Sequence, residues 1–330
     1  MRSESIAFEI DPQNNPKKAH IFLVKMETFN LHILGCGSAL PTLHHNPSAQ
    51  VVEIRGKLFL VDCGEGTQIA LRRSHQRFTA INAIFISHLH GDHCLGLMGL
   101  ISTFGLLGRT APLHIYAPGD LEPLLEAEQK VYCSHLDYQL VFHAIDTRQS
   151  AVIYDDRSVS IETIPLEHRV PCCGFLFREK PTLPHIRREM IDQYQIPLCY
   201  INVIKNGASW ELPDGTILSH EELTIPADPA RSYAYCSDTR YMPHLHERLK
   251  GVSLLYHEAT YAADKRDNAA KYFHSTAAEA AQVAADAGAG RLILGHFSAR
   301  YNDESVLLSE AQAIFPNTIL AREGLSVEVL

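Results

Sequence analysis

Within the stretch Ser87-His88-Leu89-His90-Gly91-Asp92-His93, four side chains that can hold a transition metal fall in six residues. Imidazole and carboxylate are the ligands a zinc-type ion takes in a hydrolytic site. The stretch follows Ile81–Ile86, apolar except at Asn82, which reads as a buried strand running into a loop. Gly91 is expected to permit a sharp backbone turn that aims Asp92 and His93 at a common centre. Histidine is abundant, 19 of 330 residues, so a chance cluster is the competing explanation. The placement of all four directly after an apolar strand favours metal.

Other strand-like segments end in similar residues. Val159–Ile164 leads to Pro165-Leu166-Glu167-His168-Arg169, Ser232–Cys236 to Ser237-Asp238-Thr239, and Arg291–Leu294 to Gly295-His296-Phe297. Singly, each has a plain explanation: His168 in the core or at the surface, Asp238 as the cap of a helix near Pro243–Lys250. Strand ends gathered at one sheet edge, however, build one polar site from distant residues. Together they supply three ligands for each of two metals and one to share, which suits a two-metal hydrolase. Asp62, ending the segment Lys57–Val61, is either a partner for a ligand histidine or an Asx turn. His274 opens an Ala-rich helix, Ala277–Ala287, with Ser275 or Thr276 as cap and Glu279 in the first turn.

The elements between are those of a layered α/β protein. Strands are expected at Phe29–Leu34, Ala49–Ile54, Lys57–Val61, Leu113–Tyr116, Gln139–Ile145, Val252–Tyr256 and near Ile319 and Val327. Helices are expected at Gln68–Arg77, Leu95–Leu107, Leu121–Val131 and Glu304–Phe315. Residues 1–25 are expected to be a mobile extension and 26–330 one hydrolase domain, within which 178–231 is a long irregular insertion. The chain is 46% hydrophobic and 20% charged, ordinary for a globular protein. It has neither a membrane-spanning run nor a secretory leader pattern. Eight scattered cysteines without a C-x-x-C pair fit reduced thiols in the cytoplasm. The net charge of −9 offers no global attraction for a polyanion, but local clusters and bound metal can still recruit one.

From about Asn30 onward the sequence resembles the metallo-β-lactamase superfamily and, within it, the ribonuclease Z family of tRNA 3′-processing endonucleases. The resemblance is carried by Asp62-Cys63-Gly64-Glu65-Gly66-Thr67-Gln68, Ser87 to His93, Glu167-His168-Arg169-Val170-Pro171, Ser237-Asp238-Thr239, His257-Glu258-Ala259-Thr260, His274-Ser275-Thr276 and Leu294-Gly295-His296-Phe297-Ser298. It implies a four-layer αβ/βα sandwich with an inserted arm. It further implies two zinc ions per subunit, with manganese as the other ion such donors accept. One would be held by His88, His90 and His168, the second by Asp92, His93 and His296, with Asp238 bridging. Asp92, Glu258 and His274 would be catalytic, the last two as a proton-handling pair, and Asp62 would support the site without binding metal. The substrate implied is precursor tRNA, cleaved to leave a tRNA 3′-hydroxyl and a 5′-phosphate on the trailer. A cytoplasmic homodimer, away from membranes, is the expected setting.

Two departures stand out. The early loop reads Pro41-Thr42-Leu43-His44-His45-Asn46, where the family has a basic residue before the Asn. The segment 178–231, in the place of the family's basic arm, carries 6 Lys/Arg against 8 Asp/Glu. Arg178, Lys180, Arg187 and Arg188 are its candidate phosphate contacts. The weakly basic arm motivates the competing reading, a hydrolase of small phosphodiesters, sulfate esters or lactones on the same fold. A non-catalytic protein on a decayed scaffold is disfavoured because every expected ligand is present.

Overall fold

The computed structural model describes residues 28–75 and 77–330; the expected N-terminal extension lies outside the described residues. Two seven-stranded mixed sheets face each other. The first runs in the order 326–328, 29–35, 49–54, 57–61, 81–85, 113–118, 140–145, and the second in the order 318–320, 291–295, 254–258, 232–236, 172–179, 159–166, 152–155. Each sheet is antiparallel on one side and parallel on the other.

The strands are apolar on both faces because both faces are covered. Phe59 and Val61 belong to the core between the sheets, whereas their neighbours Leu58 and Leu60 pack toward helices. The same period-two division separates Ala83 and Phe85 from Ile84 and Ile86. Between the sheets Phe85 meets Phe175 at 5.5 Å and Phe59 meets Phe177 at 6.0 Å, ring centre to ring centre. Outside the first sheet lie the helices Thr67–Arg73, Leu97–Leu106 and Leu121–Tyr132; the helices Ala277–Ala287 and Ser305–Gln312 pack on the second sheet. The result is the αβ/βα sandwich that the sequence implied.

Several boundaries differ from expectation for physical reasons. One does not: the Ala-rich helix spans Ala277–Ala287 as expected, opened by the reciprocal capping box of Thr276 and Glu279 and closed by Gly288 in left-handed backbone at φ 60°. The helix expected over Gln68–Arg77 stops at Arg73, and His75 turns left-handed at φ 55°. Asp238 caps no helix, since the nearby one begins only at Leu245 with His244 before it. A strand at Cys172–Glu179, unforeseen from the sequence, pairs with both 159–166 and 232–236. Arg178 and Glu179 are therefore sheet residues. Beyond them, two short antiparallel pairs and the helices Arg188–Tyr194, Leu198–Lys205 and His220–Leu223 enclose a small apolar cluster of their own, centred on Ile196, Ile204 and Leu223.

The sandwich is tied at one end by a buried ion cluster. Glu179 accepts from Arg55 Nε (3.2 Å) and from Arg231 Nη2 (2.8 Å), Nε (2.9 Å) and backbone N–H (3.1 Å). Arg55 lies in the turn between two strands of the first sheet, so the contact crosses the sheets. Burial opposes ionisation of Glu179, but the Arg231 and Arg55 cations hold its carboxyl below the usual range. Removing the carboxylate takes away the counter-charge shared by the buried Arg231 and the half-buried Arg55, so Glu179→Ala is expected to cost about 3 kcal/mol, read from the urea midpoint. Because the folded pKa is depressed, this stabilisation is full above the unfolded value and fades as pH falls through the folded one. The variant's acid limb should therefore be flatter than that of the parent; identical limbs and midpoints would refute the clamp.

Candidate metal centre and catalytic pair

Most polar residues of the site leave the carboxyl end of a strand or the turn just after it, the edge where such sheets place their ligands, and His274 instead follows the helix Arg266–Tyr272. His88 follows 81–85, His168 follows 159–166, Asp238 follows 232–236, Glu258 ends 254–258 and His296 follows 291–295. Gly91 is not in left-handed backbone: it opens a one-turn helix, Gly91–Cys94, on which Asp92 and His93 ride. A Cβ there would meet Leu95 Cδ1 at 2.8 Å, the tip of an exposed side chain that can turn aside.

The histidines are anchored from outside through Nδ1. His93 donates Nδ1–H to Asp62 Oδ2 at 2.7 Å, and His168 donates Nδ1–H to the Phe273 carbonyl at 3.0 Å. His296 donates Nδ1–H to Thr260 Oγ1 at 2.9 Å, which itself donates to Glu258 Oε2 at 2.7 Å. Ser87 Oγ donates to Asp62 at 2.9 Å and so receives the His88 Nδ1–H at 3.0 Å. These tautomers follow from the hydrogen-bond network. They leave four bare Nε2 lone pairs turned inward.

Inside, bare acceptors crowd one another. His90 Nδ1 lies 3.2 Å from His88 Nε2 and 3.1 Å from His168 Nε2. Asp238 Oδ1 lies 3.4 Å from His93 Nε2 and 3.1 Å from His296 Nε2, and Asp92 Oδ2 is 3.4 Å from both of those nitrogens. Asp238 Oδ2 faces the other half, 3.7 Å from both His88 and His168 Nε2. His93 Nε2 and Asp238 Oδ1 are buried with no hydrogen-bond partner. Burial pushes His88, His90 and His168 down, toward the neutral form that ligates. Although burial opposes it, nearby imidazoles hold Asp92 and Asp238 far below the usual carboxylate range. Lone pairs at 3.1–3.7 Å are the edges of an imidazole–carboxylate polyhedron around zinc-type ions, with metal–ligand bonds of about 2.0–2.2 Å. The donors therefore fit two cations, with Asp238 facing both.

Glu258 is buried and accepts four bonds: from Thr239 N–H (3.0 Å), Thr260 N–H (3.1 Å), the Thr260 hydroxyl (2.7 Å) and His274 Nδ1–H (2.8 Å). Burial alone would lower His274, but the Glu258 charge and hydrogen bond raise it to about 9. His274 lines a cavity of about 980 Å³ together with His90, Asp92, His168, Asp238 and His296.

Asp62, left open between two roles by the sequence, spends its carboxylate on His93, Ser87 N–H (2.8 Å) and the Tyr235 hydroxyl (2.6 Å). Thr260, Ser87, Tyr235 and the Phe273 carbonyl escaped the sequence reading. Thr260 and Ser87 stand inside quoted motifs, so a signal existed for those two. Arg178, Lys180, Arg187 and Arg188 do not line the cavity. Lys180 pairs with Asp155 at 2.7 Å, and Arg187 Nε donates to the Thr224 carbonyl. The cations at the cavity wall are Arg169, stacked over Tyr272 at 4.9 Å, and Arg300, over Tyr261 at 4.5 Å.

Comparison with known proteins fits this geometry. Residues 29–184 match the family model of the anti-Pycsar protein Apyc1, and residues 223–297 that of the beta-lactamase superfamily domain. A ribonuclease Z of Bacteroides fragilis is 57% identical over 304 residues, covering 92% of this chain and 100% of that protein. A ribonuclease Z of Porphyromonas gingivalis is 47% identical over the same share of both. The short form of human tRNase Z superposes with a TM-score of 0.66 at 25% identity, covering 91% of this chain and 99% of that one. A metallo-beta-lactamase fold protein of Bacillus subtilis, at 19% identity and a TM-score of 0.64 over 91% and 99%, shares the fold. The chain belongs to the ribonuclease Z family of the metallo-β-lactamase superfamily.

Proposed function

We propose that this chain, a hydrolytic endoribonuclease of tRNA 3′ processing by its family, removes the 3′ trailer from precursor tRNA in a two-metal site. Its cleavage leaves a 3′-hydroxyl on the tRNA and a 5′-phosphate on the trailer. The observation that carries this reading is the cluster of inward lone pairs beside the Glu258–His274 pair. His88, His90 and His168 would hold one ion, Asp92, His93 and His296 the other, and Asp238 both. When bound, such a pair of divalent cations offsets the charge on a phosphodiester's non-bridging oxygens and acidifies water in the site. Zinc suits the donors best, and manganese is the alternative ion.

The chain's own residues handle the leaving group. An alkoxide leaves poorly unless protonated. His274, held by Glu258 through Nδ1 and kept cationic at neutral pH, presents the other edge of its ring as a general acid to the departing 3′-oxygen. Arg169 and Arg300, exposed to the cavity and steadied by aromatic faces, would meet flanking phosphates. The segment beyond Lys180 is the family's inserted arm in this reading, and the enzyme works as a cytoplasmic homodimer. No helix among the described residues is long and apolar enough to cross a membrane.

Incubation of the metal-loaded protein with precursor tRNA should give cleavage at the trailer junction; turnover of a small diester without it would overturn the substrate. His274→Ala is expected to keep its metal and lose about 10²–10⁴-fold in rate, whereas Asp238→Ala should lose metal. Equal metal loss in the two would undo the division of roles. Arg169→Ala and Arg300→Ala should each raise KM with kcat little changed, and flatten the salt dependence of binding by about one counterion. An unchanged salt slope would remove them from the phosphate path.

A further inference from the structure

A second cluster of metal-type donors lies outside the catalytic cavity. Cys36 Sγ is 3.3 Å from His45 Nδ1 and 3.6 Å from Glu323 Oε1, and His45 Nδ1 is 3.3 Å from that same oxygen and 3.1 Å from Oε2. A tetrahedral zinc ion, with bonds of about 2.3 Å to sulfur and 2.0–2.2 Å to nitrogen and oxygen, separates its ligands by roughly 3.3–3.6 Å. We propose that Cys36, His45 and Glu323 bind one zinc-type divalent cation, distinct from those of the catalytic cluster.

Three further features fit. His45 turns its other nitrogen, Nε2, to Glu304 Oε1 at 3.1 Å, the carboxylate–histidine arrangement that orients a ligating imidazole. Glu323 Oε1 is oriented in turn by the Asn46 N–H at 2.9 Å. A cavity of about 330 Å³, lined by His44, Asn302 and Arg322 with His45, Glu304 and Glu323, leaves room for water as a fourth ligand. Cys36 itself is fully buried, and burial with the adjacent Glu323 carboxylate pushes its thiol up, so that the cation must expel the thiol proton on binding. The three ligands come from the end of the first strand, the close of the loop after it, and the turn before the last strand. Ser38, Ala39, Leu40 and Pro41 of that loop line the catalytic cavity, so the ion would pin one of its walls.

The catalytic cluster contains imidazoles and carboxylates only, which makes sulfur ligation a signature of the second site. Full-length protein is stripped with a chelator and titrated with cobalt(II). The near-ultraviolet sulfur-to-cobalt charge-transfer band should appear, persist in Asp238→Ala, and vanish in Cys36→Ser, with His45→Gln and Glu323→Gln weakening it. Zinc content should fall by one ion per chain in Cys36→Ser. Serine nearly preserves the side chain's size, and circular dichroism verifies that the variant is folded. Cobalt spectra of nitrogen and oxygen character alone would overturn the site and leave His45 as an imidazolium between two carboxylates. A sulfur band that survives Cys36→Ser would overturn it equally, by assigning the band to another thiol.

Discussion

Asp238 is the constraint on which the rest of the site depends. Its two oxygens face different halves of the histidine cluster, Oδ2 toward His88 and His168 and Oδ1 toward His93 and His296. A carboxylate at that depth is stable only against positive charge. No Lys or Arg pairs with it among the described residues, so imidazolium or metal must supply that charge. The strands 159–166, 172–179 and 232–236 must stay in register to keep it there. Even the Cys172 thiol leans on the Asp238 carbonyl, at 3.4 Å.

Three of the six non-glycine residues in left-handed backbone among the described residues stand at the same place. Asp62, Phe273 and His296 all hold left-handed backbone, at φ 55°, 59° and 59°, a conformation that costs a non-glycine residue of order 1 kcal/mol or more. Each is over-determined by bonds that only that backbone delivers. Asp62 collects donors from Ser87, His93 and Tyr235; the Phe273 carbonyl takes the His168 proton; Thr260 takes the His296 proton while donating to Glu258. The ring tautomers, and hence the direction of the lone pairs, are thus set by bonds the substrate never meets.

The parts legible in the sequence were those whose signal is local. The strands 49–54 and 57–61 read true to the residue because apolar runs bounded by Arg55-Gly56 have few other solutions. The candidate ligands were visible as polar residues ending apolar runs. The strand 172–179 was not, because Cys-Cys-Gly at its start carries little β-signal and its burial is a tertiary fact. Arg178 and Lys180 looked like phosphate contacts through local basic density. Yet Arg178 stands six residues along a strand whose other end, at Cys172, is the one beside Asp238, roughly 20 Å at strand rise. Arg169 and Arg300 became visible only once the fold laid Tyr272 and Tyr261 beneath them.

How a chain of net charge −9 receives a polyanion follows from what its cations lean on. A guanidinium paired with a carboxylate is neutralised in place, as Arg231 is on Glu179, and has little attraction left for phosphate. One steadied by an aromatic face keeps its full charge and all its N–H donors. Among the described residues Arg169 makes no ion pair and lies over the face of Tyr272, and Arg300 has Tyr261 and the neutral Ser298 hydroxyl. Both sit on the wall of the cavity that holds His274. On the proposed reading the attraction lies at the mouth, where it would position a backbone phosphate against His274, while the net negative charge of the chain opposes nucleic acid elsewhere. Placement does the work that net charge cannot.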